Sequence, residues 1–177
     1  MPRLFTGIKI PASVAEHLRL MQYGLSGAKW IEAEDFHITL RFFGDVDGVM
    51  ADEIIYGYES IQVALFSLRL SGIGHFGKDK PRMIWAGVKD SEDLQHLHMA
   101  HENLAQKLGL KPEGRKFIPH VTLARLRHGN MEEVSNYLHD HGLFETQPFE
   151  VTEFVLFSAR SSRGGGPYQT EAIYPFD

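Results

Sequence analysis

The sequence predicts an α+β fold built as two related lobes, and two observations lead there. Short alternating apolar stretches of strand type are interleaved with short stretches of helical spacing along the whole chain. In addition, Phe36-His37-Ile38-Thr39-Leu40 returns as Pro119-His120-Val121-Thr122-Leu123, the two histidines 83 positions apart, about half the chain. The order around each copy is also similar: helix, loop, motif strand, helix, strand. A repeated supersecondary unit of that kind predicts two lobes with one motif strand each.

Residues 3–10 are apolar and β-prone and read as a strand closed by Pro11. Val14, Leu18 and Met21 recur at helical spacing and give a helix over 12–22, after which Gly24, Ser26 and Gly27 mark a loop. Residues 36–43 alternate and end near Gly44, a strand; Val49, Glu53, Ile54 and Tyr58 suggest a helix next. Residues 65–73 and 82–88 read as one strand each. Ser91 is a helix cap, with Glu92 and Asp93 in the first turn, where carboxylates favour the positive helix end. The stripe Leu94, Leu97, His101, Leu104, Leu108 follows, and Gly109 stops the helix. Residues 117–126 hold a strand and 131–139 a short helix. Residues 151–158 and 168–174 read as closing strands around the glycine-rich stretch 160–167, taken as a flexible hairpin loop at the cleft rather than a phosphate cradle, because it has no P-loop lysine.

Strand geometry gives the repeated motif its chemical meaning. Residues i and i+2 of a strand share a face. His37 and Thr39 therefore stand together, as do His120 and Thr122, while Ile38, Leu40, Val121 and Leu123 are left to a core. Two such strands set two imidazoles and two hydroxyls around one small volume. In-line displacement at phosphorus needs a base on the entering oxygen and an acid on the leaving one. Imidazole, with an unperturbed pKa of roughly 6.5, serves either role. Hydroxyls donate to the non-bridging oxygens, where charge builds up. A strained 2′,3′-cyclic phosphate, which RNA forms and DNA does not, needs no metal to be opened. Period two also sets Arg41 beside His37 and Thr39 and nominates it as a phosphate or ribose contact.

Composition narrows the partners. The net charge is −5 and the pI about 6.0, which argues against a broad basic face coating duplex nucleic acid but admits an RNA end held by a few arginines. With no cysteine, disulfides, thiolate catalysis and cysteine zinc sites are excluded. No run near the start is apolar enough for a signal peptide and none approaches the ~20 residues of a membrane span. A cytoplasmic, monomeric protein that needs no cofactor or metal is expected.

The two copies, His37-Ile-Thr-Leu-Arg-Phe-Phe-Gly44 and Pro119-His-Val-Thr-Leu-Ala-Arg125, resemble the paired H-x-T-x motifs of the two-histidine (2H) phosphoesterases. The nearest branch is the RNA 2′,3′-cyclic phosphodiesterases, historically called 2′-5′ RNA ligases. The likeness runs through Arg3-Leu-Phe-Thr-Gly-Ile8, Lys29-Trp30, Phe76-Gly77, Pro81-Arg-Met-Ile-Trp85, Ser158 and the glycine-rich stretch to Tyr168. It implies one domain over 1–177 of two intertwined, pseudo-symmetric lobes, with motifs at 37–40 and 120–123. Each lobe would be an antiparallel sheet with helices on its outer face, and the active-site cleft would lie between them. It implies that His37 donates a proton to the leaving 3′-oxygen, that His120 activates water, that the product is a 2′-phosphate, and that Arg125 helps hold phosphate. Period two puts residue 125 on the wrong face, so either the strand ends or bulges at Ala124, or Arg125 reaches the cleft from its rim.

Plainer readings compete. A single H-x-T is more often two polar residues facing solvent; the duplication reverses those odds. His98 and His101, three apart on one helix with Glu102 adjacent, suggest a metal pair, although a core or boundary role suits His101 better. Trp30, Phe76, Trp85 and Tyr168 offer faces for a base, but core packing is the usual fate of such rings; Phe43 and Tyr168 are nominated as base or ribose contacts. Rival functions are 2′-5′ ligation by the reverse reaction, hydrolysis of a small cyclic nucleotide such as an ADP-ribose cyclic phosphate, a non-catalytic RNA-end binding module, and a metal-dependent hydrolase using the histidine-rich helix.

Overall fold

The structure is a computed structural model that describes residues 2–159 and 166–177; the loop expected over 160–167 falls largely outside them. In chain order the elements are β1 (Arg3–Lys9), α1 (Ala12–Arg19), β2 (Ala28–Trp30), β3 (His37–Asp45), α2 (Gly48–Gly57), β4 (Phe66–Leu68), β5 (Leu70–Phe76) and β6 (Met83–Val88). They continue with α3 (Glu92–Lys107), β7 (His120–Leu126), α4 (Met131–Asp140), β8 (Phe149–Val151), β9 (Glu153–Ala159) and β10 (Tyr168–Pro175). Seven strands run in the order β10-β9-β1-β3-β7-β6-β5, and β2 pairs with β7. Every pairing is antiparallel. The sheet has two halves, β10-β9-β1-β3 and β7 with β2, β6 and β5, and they meet through one residue pair, Ile38 with Val121.

Two expected strands are each divided. Residues 65–73 break at Arg69 into β4 and β5, and 151–158 break at Thr152, so that β8 precedes β9. The fragments β4 and β8 pair with each other as a separate two-stranded sheet. One local break is thus matched to another more than 80 residues away, a relation no local pattern encodes.

The helices cover the halves crosswise. Tyr58, just after α2, donates its hydroxyl to His101 O in α3 (2.7 Å), and Tyr174 of β10 donates to Ile55 O in α2 (2.8 Å). These helices serve the β3 half. The chain after α1 is tied to the β7 half: Gln22 Nε2 donates to Ile31 O (2.8 Å) and Leu123 O (3.2 Å). Tyr137 in α4 donates to Met21 O (2.5 Å). Caps fix the starts: Ser91 Oγ, the expected cap, accepts from Leu94 N–H (3.1 Å), and Asn130 Oδ1 accepts from Glu132 N–H (2.9 Å). Ile38, Leu40, Val121 and Leu123, the apolar partners of the motifs, are all buried beneath these helices.

Candidate active site

The backbone of each motif strand carries the same two devices. The first is a carbonyl two residues ahead of the histidine. His37 Nδ1 lies 2.8 Å from Asp35 O, and His120 Nδ1 lies 2.6 Å from Ile118 O. A carbonyl only accepts, so Nδ1 carries the proton in both rings and Nε2 is left as the basic nitrogen. His37 Nε2 is 3.1 Å from Thr39 Oγ1; Thr122 donates to Met83 Sδ at 3.4 Å.

The second device is a bulge. Opposite β1, Thr6 and Gly7 face Arg41 and Thr39, so Leu40 is an extra residue. Opposite β6, Ile84 and Trp85 face Ala124 and Thr122, so Leu123 is extra. An inserted residue flips the alternation beyond it. On β7, Leu123 and Ala124 are buried in succession, both 0% exposed, and Arg125 returns to the face of His120 and Thr122. The bulge expected at Ala124 therefore exists, one residue earlier. Consistent with that placement, both His120 and Arg125 act electrostatically on His37 against its protonation. The Arg125 Nε has no protein partner among the described residues, nor has the Trp85 indole N–H.

The same flip on β3 removes two expected residues. Leu40 and Arg41 are buried in succession, at 2% and 7% exposure. Arg41 does not stand with His37 and Thr39: its Nε is 2.6 Å from Glu102 Oε2, and it also donates to Lys111 O (2.6 Å) and Phe42 O. A second irregularity passes over Phe43, whose ring packs edge-on against Tyr58 at 5.3 Å in the core. Phe42 is the half-exposed residue on the histidine side, 5.4 Å from the Phe5 ring. Tyr168 does reach the site, edge-on to His37 at 5.1 Å, and its backbone N–H donates to Asp35 Oδ1 (3.3 Å).

Register builds the rest. Around His37 stand Phe5 (5.0 Å) and Phe157 (5.7 Å) with Tyr168; around His120 stand Phe76 (5.0 Å, edge-on) and Trp85 (5.9 Å). On the strand beside each motif a glycine stands where a Cβ would collide. A Cβ on Gly7 would lie 2.8 Å from Ile38 O and 3.4 Å from the His37 ring, and one on Gly87 would lie 2.7 Å from Ser71 O beside Trp85. Burial pushes the His37 imidazole down to about 4, with Asp35 O opposing, and burial lowers His120 too. In the free site both rings are therefore neutral near pH 7.

The histidine-rich helix is occupied otherwise. His98 is stacked on Phe117 at 3.7 Å and its Nδ1 lies 3.0 Å from Leu40 O. His101 is buried with Nδ1 bonded to Leu97 O at 2.9 Å. Among the described residues, no three His, Asp or Glu side chains gather as a metal site requires, and no helix is long and apolar enough to cross a membrane.

Comparison with known proteins gives one family. Residues 10–163 match the model of the 2′-5′ RNA ligase superfamily. An RNA 2′,3′-cyclic phosphodiesterase of Aeropyrum pernix is 36% identical over 145 residues, 80% of this chain and 82% of that one. Among solved structures, TT0787 of Thermus thermophilus superposes with a TM-score of 0.81 at 21% identity, covering 98% of this chain and 97% of that one. LigT of E. coli, complexed with 3′-AMP, superposes at 0.78 and 24% identity, covering 99% of each chain.

Proposed function

The chain belongs to the 2′-5′ RNA ligase superfamily, and from that premise we propose that it hydrolyses RNA 2′,3′-cyclic phosphate ends to 2′-phosphates through His37 and His120. The observation that carries this reading is the matched hold on the two imidazoles: each is fixed at Nδ1 by the carbonyl two residues before it, on strands joined at Ile38 and Val121. In-line attack then has a nitrogen for each end. His120 Nε2 takes a proton from water as its oxygen bonds to phosphorus; the bond from phosphorus to the 3′-oxygen breaks, and His37 gives that oxygen its proton. Thr39, Thr122 and Arg125 would meet the non-bridging oxygens, where the negative charge grows. Arg125 Nε and the Trp85 N–H are donors that the protein leaves open among the described residues. An arriving phosphate anion supplies the charge that brings a proton onto one of two rings otherwise held neutral.

The test is turnover, in excess EDTA, of a short RNA ending in a 2′,3′-cyclic phosphate, beside the cyclic mononucleotide and an RNA bearing a 5′-hydroxyl. Release of 2′-phosphate, falling by about 10²–10⁴-fold in His37→Ala and in His120→Ala, is expected. Activity that vanishes with EDTA and returns with metal would overturn the reading, as would tight binding without turnover. Joined product would assign the reverse, 2′-5′ ligating direction to the same site.

A further inference from the structure

The ten residues between Gly109 and His120 have no helix or strand, yet they deliver Ile118, whose carbonyl fixes the His120 ring. Three side-chain attachments to this segment come from the other motif strand or from the helix behind it. Arg41, turned inward by the bulge, donates from Nη2 to Lys111 O at 2.6 Å. Its ion-pair partner Glu102 accepts from the Glu113 backbone N–H through Oε1 at 2.9 Å. His98 lies flat on Phe117, 3.7 Å away at 3° between planes, while its Nδ1 donates to Leu40 O at 3.0 Å. Leu40 is the bulge residue itself.

We infer that Arg41, Glu102 and His98 are positioning residues for His120: the bulge in the first motif strand anchors the approach to the second histidine. The chemistry of the contacts fits that task. A guanidinium and a carboxylate that satisfy each other still have donors and acceptors left over, and here one from each goes to a backbone group of one irregular segment. The pair is nearly solvent-free, with 7% and 12% of the side chains exposed, so its bonds are short and directional. The stack adds a planar restraint one residue before Ile118. Removing these ties leaves the Ile118 carbonyl, and so the direction of His120 Nε2, to a free loop. A displacement near 1 Å suffices for a loss of about a hundredfold in rate.

The inference rests on the proposed role of His120, and two independent cuts test it. Arg41→Met/Glu102→Leu exchanges the pair for apolar groups and avoids a lone buried charge; Phe117→Leu removes only the stack. In folded protein each is expected to lower kcat by about 10- to 100-fold, with KM within about threefold. Arg41→Lys should retain part of kcat through one surviving bond to Lys111 O. The Nδ1–H proton resonance of His120 should shift or broaden while that of His37 holds still. Unchanged kcat with an unmoved His120 resonance in either folded variant would overturn the inference and leave the contacts a purely structural tie. An inert wild type would instead sink the proposed reaction, and the His120 resonance would still decide the positioning. Should the double variant fail to fold, Phe117→Leu decides the matter alone.

Discussion

On β3 the five residues after His37 run Ile38, Thr39, Leu40, Arg41, Phe42; on β7 the five after His120 run Val121, Thr122, Leu123, Ala124, Arg125. The backbones match, with the same carbonyl hold, the same bulge at the third residue and the same reversal of face after it. The side chains past the bulge do not. The fourth position faces inward, where β7 has Ala124 and β3 has Arg41 paired with Glu102. The fifth faces the histidines, where β7 offers a guanidinium and β3 a phenyl ring. Repeated backbone geometry holds the two imidazoles alike; the fifth residue then sets a cation on one strand and an aromatic ring on the other.

The sharpest way to break that comparison is to truncate the fifth residue on each strand. Arg125→Ala should lower kcat/KM by about 10²–10³, the usual effect of a missing donor to a developing anion. Phe42→Ala, at a half-exposed ring, should stay within about tenfold. Equal losses, measured on a cyclic-phosphate RNA, would mean that the division is not functional.

Next come the glycines that make room. Gly7→Ala and Gly87→Ala should each destabilise by about 1–3 kcal/mol in denaturant unfolding, since a Cβ would press on a neighbouring strand carbonyl. Only Gly7→Ala should also depress kcat, because its Cβ would meet the His37 ring; a matching fall in Gly87→Ala would erase the distinction between the sides.

A smaller effect lies in pH. The His37 pKa in the folded state, about 4, is below the ordinary 6.5, so between those values the unfolded chain binds more protons than the folded one. The stability conferred by a neutral His37 is complete above about pH 6.5 and is lost as pH falls toward about 4. His101, pushed by burial to about 3, adds in the same sense over a window reaching lower. Unfolding free energies from about pH 7 to about pH 4 should decline, and His37→Asn should flatten the upper part of the curve; an unaltered slope would place the acid sensitivity elsewhere. The smallest expected signal is proton uptake. At about pH 7, binding a phosphate-bearing inhibitor should take up less than one proton, seen as a buffer-dependent heat in calorimetry. No uptake would mean that one ring is already charged in the free site.

Much of the site is legible in the chain itself. The four motif residues His37, Thr39, His120 and Thr122 lie before the bulges, where alternation holds, and their common face follows from period two alone. Period two fails at the first residue past each bulge. Leu40 and Leu123 are ordinary strand residues, and nothing local marks either as an insertion; what makes them extra is the spacing of β1 and β6 opposite. Hence alternation nominates Arg41 where Phe42 stands, and the choice of Phe43 as a ring contact fails past the same bulge. The echo itself holds the missing signal. Aligning the two histidines sets Phe42 on Arg125, so the mismatch of face at Arg125 applies to both strands. Ala28–Trp30 as a strand, and the breaks at Arg69 and Thr152, are hidden for a related reason: three-residue strands have no period to detect.

The crosswise connectivity also sets an order of events during synthesis. Phe76 and Trp85, the rings around His120, leave the ribosome before His120 does, and β5, β6 and β7 can close as soon as β7 is out. His37 emerges early but waits for Phe157 and Tyr168, more than a hundred residues behind it. At typical elongation rates that interval is on the order of ten seconds. Until β9 pairs with β1, the His37 ring lacks the Phe157 and Tyr168 rings that enclose it in the folded protein.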